Sequence, residues 1–318
     1  MSDDAPPLSP DEAFAALGNE TRIAILRALG DAGGPLSFSD LYDRVDVSDS
    51  GQFNYHLDKL EGHFVRQTEA EYELARPGSR IVEAVLSGAV TDAPVLERTA
   101  VDHPCPFCGA SVEVTFRDER VELYCTDCEG NYGSGGTDPA EDRYGYLGFH
   151  PLPPAGVEGR DPAGILNAAV TWGRLELLAA GGGVCPRCSA ALDRSLRVCE
   201  DHDATDGLCD TCGNRHAVVV DLDCTNCIYA QSGSAVVGIA SATPLLAFLT
   251  ARGFNPVTPD PTDQALVSRV LNDYEEAVLA TDPLRVRLTV ALDGDELELV
   301  VDEDLTVVET AERSNPAE

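Results

Sequence analysis

The chain has 318 residues, with 43% apolar content, enough for two or three compact units with ordinary cores. Fifty-five acidic residues against 22 basic ones give a net charge of −33, and Lys59 is the only lysine. The apolar periodicity along the chain excludes a disordered acidic protein. Two explanations of the charge are left: avoidance of nucleic acid, whose phosphates need cations, or adaptation to molar salt. In molar salt the Debye length is about 3 Å and repulsion from phosphates is largely screened. The near-absence of lysine selects the second, a halophilic protein. Residues 1–10 lack the basic and apolar regions of a signal peptide, so a cytoplasmic protein is expected.

Residues 9–92 read as one helical unit closed by a hairpin. Ser9-Pro10-Asp11-Glu12 joins an N-cap serine, a first-turn proline and a capping-box glutamate. A second helix carries Ile23, Leu26 and Leu29 and stops at Gly30 and Gly33-Gly34. Ser37 with Asp40 caps a short third helix. Ser48 is read as opening a fourth, in which Phe53, Leu57 and Leu60 make a buried stripe. Two extended runs, 64–68 and 72–76, flank Glu69-Ala70-Glu71, and a last helix is expected over 79–90.

The segment Ala16-Leu17-Gly18-Asn19-Glu20-Thr21-Arg22-Ile23-Ala24-Ile25-Leu26, with Asn54-Tyr55-His56-Leu57-Asp58-Lys59-Leu60 and the hairpin after it, resembles the ArsR-type winged helix-turn-helix regulators. The likeness covers residues 10–90, and the rest of the chain looks like halophilic-archaeal regulators that join this domain to zinc ribbons. It implies a homodimer that binds double-stranded DNA. Helical geometry alone puts Gly51, Gln52, Tyr55 and Lys59 opposite the buried stripe, with Ser50, Asn54 and His56 on the flanks. A recognition helix lays its N-terminal residues and outer face in the major groove. Ser48 and Ser50 then suit phosphates, Gln52 or Asn54 a base edge, and Lys59, Arg66 and Arg76 phosphates. The alternative is a winged helix that docks protein. Two features depart from the family: the wing tip is acidic, with 14 acidic and 7 basic residues over 10–90, and no cysteine precedes Cys105. Metalloid sensing on the fourth helix is therefore not expected.

Ten of eleven cysteines fall in five C-x-x-C pairs, a metal or redox signature in a cytosolic chain. Cys105, Cys108, Cys125 and Cys128 have the spacing of a four-cysteine zinc ribbon over 101–132. Residues 133–161 read as a Gly/Pro-rich linker and 162–180 as an apolar-striped helix leading to a second cluster within 162–230. There Cys185, Cys188, Cys199, His202, Cys209, Cys212, Cys224 and Cys227 make two four-ligand sites, three zincs per chain in all. Sequential pairing, 185/188 with 199/202 and 209/212 with 224/227, is the simplest, a cross-braced exchange stays open, and His216 is a spare. Four-ligand sites leave no open position, and no H-E-x-x-H, G-x-S-x-G or phosphate loop occurs, so the expectation is no enzyme.

Residues 228–251 carry no charge, but Gln231, three serines and Pro244 suit a buried strand and helix rather than a membrane span. A β-meander follows within 234–310, with Val286, Leu288, Val290 and Leu292 alternating up to the Asp293-Gly294 turn. The fold class expected is α+β and multidomain: a winged helix-turn-helix, small zinc ribbons, and a helix and β-meander region of unassigned role. The function expected is a DNA-binding transcriptional regulator whose zinc modules serve dimerisation, signal input or contacts to the transcription machinery. The small-molecule effector is left open. The alternatives are a general factor resembling archaeal transcription factor E, or a zinc scaffold or redox sensor that does not bind DNA.

Overall fold

The computed structural model describes residues 8–132, 144–205, 207–258 and 261–314. The chain is α+β and forms two compact units, Met1–Asp92 and Ala93–Glu318.

In the first unit, α1 (Pro10–Leu17) opens on the expected reciprocal cap between Ser9 and Glu12. α2 (Glu20–Ala32) is capped by Asn19 and runs through Gly30 to the left-handed Gly33. Gly30 is tolerated inside the helix because a Cβ there would stand 2.7 Å from Val82 Cγ1, so the site needs close approach more than helix propensity. Next come β1 (Leu36–Ser37), α3 (Phe38–Tyr42) on its Ser37 cap, and α4 (Ser50–Asp58). The cap of α4 is Asp49, whose carboxylate accepts from the Gln52 N–H at 2.7 Å, not Ser48 as the sequence suggests. Either side chain is a good cap, and the carboxylate adds a favourable charge at the positive helix end. β2 (Val65–Thr68) and β3 (Glu71–Leu74) form the hairpin, and β1 pairs with β3 to give the order β1-β3-β2. α5 (Arg76–Leu86) starts three residues before the expected Ser79, because Pro77 in its first turn needs no amide partner. Ile25, Leu29, Leu41, Phe53, Leu57 and Val82 meet in the core, where Phe38 and Tyr42 pack edge-on against Phe53 at 5.3 and 5.2 Å.

The second unit begins with a larger sheet than expected. β4 (Leu96–Pro104), β5 (Ser111–Arg117), β6 (Arg120–Cys125) and β7 (Tyr146–Pro151) pair antiparallel in chain order. β7 and a 3-10 turn at Pro154–Gly156 lie inside the stretch read as linker; residues 133–143 lie outside the described residues. Gly148 and Pro151 hid this strand, yet it sits at the sheet edge, where proline costs no ladder bond. Val112, Val114 and Phe116 alternate inward and pack on Ile165, Ala169 and Val170 of α6 (Pro162–Gly181), which Asp161 caps.

β8 (Leu192–Val198), β9 (Val218–Cys224) and β10 (Ala230–Ser234) make the next sheet, followed by α7 (Ala235–Gly238) and α8 (Thr243–Ala251). The uncharged stretch is thus a strand and two helices, and no helix among the described residues is long and apolar enough to cross a membrane. α9 (Pro261–Asn272) and the sheet β11 (Glu275–Thr281), β12 (Leu284–Leu292), β13 (Asp295–Asp302), β14 (Val307–Arg313) complete the unit. Asp293 and Gly294 both have positive φ, 54° and 85°, the hairpin turn expected of that dipeptide. The meander shares one core with the preceding sheet: Val220 and Leu222 of β9, Phe248 of α8, and Leu288 and Leu299 belong to the same buried cluster.

From that shared core, Leu222→Ala and Leu288→Ala should each cost about 2–5 kcal/mol, as truncations of fully buried leucines do. Both should lower the same calorimetric transition; separate transitions would show that sheet and meander fold independently.

Candidate functional site: three metal centres and a polar helix face

Antiparallel register sets the first two centres. At the end of the β5–β6 pair, Val112 lies opposite Cys125, so the turn carrying Cys105 and Cys108 meets the turn carrying Cys125 and Cys128. Sγ–Sγ separations are 3.7 Å for Cys105–Cys128 and 3.5 Å for Cys108–Cys125. These are far beyond a disulfide's ~2.05 Å. They approach the ~3.8 Å edge of a tetrahedron with metal–sulfur bonds of ~2.3 Å. The amides of Asp127 and Cys128 both donate to Cys125 Sγ at 3.3 Å. Burial raises the Cys125 thiol, but those donations outweigh it and hold the group low, while burial pushes Cys105 and Cys128 up.

The second cluster corrects the sequential pairing. β8 and β9 pair from Leu192 opposite Cys224 to Val198 opposite Val218. The Cys185/Cys188 turn enters β8 at the end where the Cys224/Cys227 turn leaves β9, so these four cysteines form one centre. Its edges are 3.7 Å for Cys185–Cys227 and 3.4 Å for Cys188–Cys224. Residues 199–217 leave and return at the other end of the hairpin, and Cys199, His202, Cys209 and Cys212 close there as the third centre. The pairs are nested, neither sequential nor cross-braced, because the sequential arrangement would need pairs at opposite ends of a seven-residue ladder to meet.

In the third centre His202 Nδ1 stands 3.5 Å from Cys212 Sγ, and Nε2 donates to the Arg215 carbonyl at 3.2 Å. That hydrogen bond selects the tautomer whose Nδ1 lone pair faces the thiols. Arg215 in turn gives Nε and Nη2 to the Gly130 carbonyl at 3.0 and 2.9 Å and lays its guanidinium over Phe107 at 4.2 Å. Sequence spacing gave no signal for this arginine, which ties the inserted loop to the first cysteine centre. His216 is no ligand: it stacks on Tyr274 at 4.0 Å and hydrogen-bonds the Asn272 carbonyl at 2.8 Å. Backbone donation holds Cys188 and Cys209 down at about 6, whereas Cys199, desolvated beside its thiol neighbours, rises to about 11. Each set therefore crowds thiols that cannot all ionise together unless a cation offsets their charge. All three sets could hold a metal ion.

On α4 and at its two ends, Ser48, Ser50, Gly51, Gln52, Asn54, Tyr55 and Lys59 are exposed. His56 is not: it is 8% exposed, turned toward the core side with Leu57, so the candidate contact is withdrawn. A flank position near the stripe closes over when the neighbouring helices pack. Asn54 donates to Asp58 at 3.1 Å, and Lys59 lies over the Tyr55 ring at 5.6 Å. Arg66 pairs with Glu73 at 3.1 Å, and Arg76 and Arg80 pair with Glu83 at 3.7 and 3.0 Å.

One family model spans all three centres and most of the core behind them: Domain of unknown function (DUF7351) matches residues 102–307. The chain belongs to that family. A second model, Domain of unknown function (DUF7347), matches residues 10–85, so the gap between the two matches brackets the boundary between the compact units. No curated protein matches the chain, and no solved structure does. All three centres fall inside the DUF7351 region.

The nested geometry predicts how variants should group. Loading the protein should give three metal equivalents per chain. Cys188→Ser and Cys224→Ser should release the same one, and the double variant should lose no more than either single. Cys199→Ser should release a different one. If Cys188→Ser grouped with Cys199→Ser instead, the nested pairing would be wrong.

Proposed function

We propose that this chain is a homodimeric DNA-binding transcriptional regulator. Its first unit is a winged helix-turn-helix of ArsR type, and its three centres hold structural zinc. The observation that carries the reading is the order α1-α2-β1-α3-α4-β2-β3-α5 with β1-β3-β2 pairing. It leaves the outer face of α4 polar and exposed in front of a hairpin. Operator double-stranded DNA would receive Gln52 or Asn54 at a base edge, with Ser48, Ser50, the side-chain-free Gly51, Tyr55 and Lys59 along the backbone. Dimerisation is supported by unpartnered apolar side chains on the same unit, Phe14 at 74% and Leu86 at 52% exposure.

Zinc suits the three donor sets because thiolate-rich, four-donor, tetrahedral sites select it over oxygen-seeking cations. The residues Cys105, Cys108, Cys125 and Cys128, then Cys185, Cys188, Cys224 and Cys227, then Cys199, His202, Cys209 and Cys212 would hold it. A closed shell supplies folding energy rather than a reacting water, which supports a role in building the second unit for signal input or for contacts to the transcription machinery.

A second reading, a winged helix that docks protein, is favoured by one observation. Arg66, Arg76 and Arg80 are each already paired with a glutamate, so the wing offers phosphates little free cation. The salt response separates the two readings.

For the DNA reading, Gln52→Ala should relax base preference by about 1–3 kcal/mol, the worth of a bidentate base contact. Asn54→Ala should do less, since Asn54 already spends its amide on Asp58. Lys59→Ala should weaken all sequences alike. Unchanged operator choice in Gln52→Ala would remove α4 from recognition.

Operator affinity should be flat or rise between about 0.5 and 2 M KCl, against the usual counterion-release slope. Residues 10–90 carry −7, from 7 basic and 14 acidic residues, so screening removes repulsion before it removes attraction. Fluorescence anisotropy with folding checked at each salt measures this. A folded protein that binds tightest at low salt and weakens steeply would overturn the halophilic argument, and no binding at any salt would favour the protein-docking reading.

A further inference from the structure

Within the Ala93–Glu318 unit lies a cavity of about 600 Å³, inside the size range of small-molecule sites. Its wall is mostly apolar and aromatic, including Tyr146 and Phe149 of β7, Val170 and Leu177 of α6, and Val236 of α7. The charge on that wall runs against the rest of the chain. The sequence carries 55 acidic and 22 basic residues. The charged residues lining the cavity, however, are Arg120, Arg174, Arg197 and a single carboxylate, Glu176.

Three of these four are already engaged. Glu176 pairs with Arg187 at 3.0 Å, Arg197 pairs with Asp221, and the Arg120 guanidinium lies on the Phe149 ring at 4.4 Å. Arg174 has neither a hydrogen bond nor an ion pair among the described residues, and its Nε is buried without a partner. Beside it the chain packs tightly: a Cβ at Gly173 would stand 2.9 Å from His150 Nδ1. Burial lowers Arg174 to about 10, with no carboxylate offsetting it, and burial first and then Arg174 lower His150 to about 3. Arg174 thus stays charged and His150 stays a neutral imidazole across the physiological range. Arg174 is half-buried, and a cation whose Nε is shut from water without a partner is stabilised when an anion reaches it. A halide would neutralise the charge but leave most of the cavity and its aromatic wall uncovered.

We propose that this cavity binds a small organic anion, a carboxylate or sulfonate on an aromatic or branched apolar body, with the anionic group on Arg174 and the body against Phe149, Tyr146 and Leu177. The site stands whether or not the first unit binds DNA.

The test uses the full-length, metal-loaded protein in molar KCl and two fluorescent probes of one shape, anilinonaphthalene sulfonate and its uncharged relative N-phenylnaphthylamine. The sulfonate should bind saturably at one site per chain, at least tenfold tighter than the neutral probe. Arg174→Met should bring the two affinities together while metal content and melting temperature hold, and Arg174→Lys should keep most of the preference. In the unaltered protein, benzoate should displace the sulfonate and benzyl alcohol at equal concentration should not, a comparison that needs no variant to fold. Absence of saturable one-site binding, equal displacement by the alcohol, or undiminished sulfonate preference in folded Arg174→Met would overturn the proposal.

Discussion

Antiparallel pairing of β8 with β9 is the constraint on which the second unit depends. Seven residue pairs, from Leu192 opposite Cys224 to Val198 opposite Val218, place two cysteine turns together at one end of the ladder. They leave residues 199–217 to close their own centre at the other. The inner face of the same ladder, Val218, Val220 and Leu222, is the floor of the core that α8, β12 and β13 cover. The gathering of the thiols and hydrophobic burial are therefore not separate sources of order here. A thiol cluster holds the ends of a hairpin too short to be stable alone, and the hairpin's buried face recruits the meander.

The inserted loop shows how such centres are wired to one another. Arg215 reaches from it to the Gly130 carbonyl beside the first centre, while its own carbonyl orients His202. Glu129 accepts from the Leu208 amide at 3.0 Å, and Tyr132 bridges to Asn214. Loss of ligands in the third centre should thus be felt at the first through hydrogen bonds, without any shared metal ligand. The large cavity is another consequence of joining a sheet-and-helix layer to a hairpin-and-meander layer: Arg120 and Arg174 come from one, Arg197 and Val236 from the other.

In the first unit, the electrostatics of α4 and the hairpin are set by neighbours within hydrogen-bond reach rather than by net charge. Arg66 of the hairpin and Arg76 of α5 are held by Glu73 and Glu83, and Asn54 is held by Asp58. What stays unengaged on the exposed face is small and polar: Ser48, Ser50, Gly51 and Gln52. Such a face offers hydrogen bonds that survive high salt, rather than long-range attraction that does not.

Local chemistry made several elements legible in the sequence. Capping serines marked α1 and α3, strict alternation marked β12 and β13, and Asp293-Gly294 marked their turn, because these signals act within a few residues. The twelve ligands in six x-x-spaced pairs were legible for the same reason: each pair is one tight turn. Which pairs meet, the partnering of β4 and β7 at the sheet edges, the burial of His56 and the isolation of Arg174 were not. Each depends on which strand or helix lies alongside, a relation between residues tens of positions apart. Leu192 and Cys224 face each other across 31 intervening positions only because the ladder folds back. Residue identities set what each turn could bind, and the three-dimensional pairing of strands decided what it binds with.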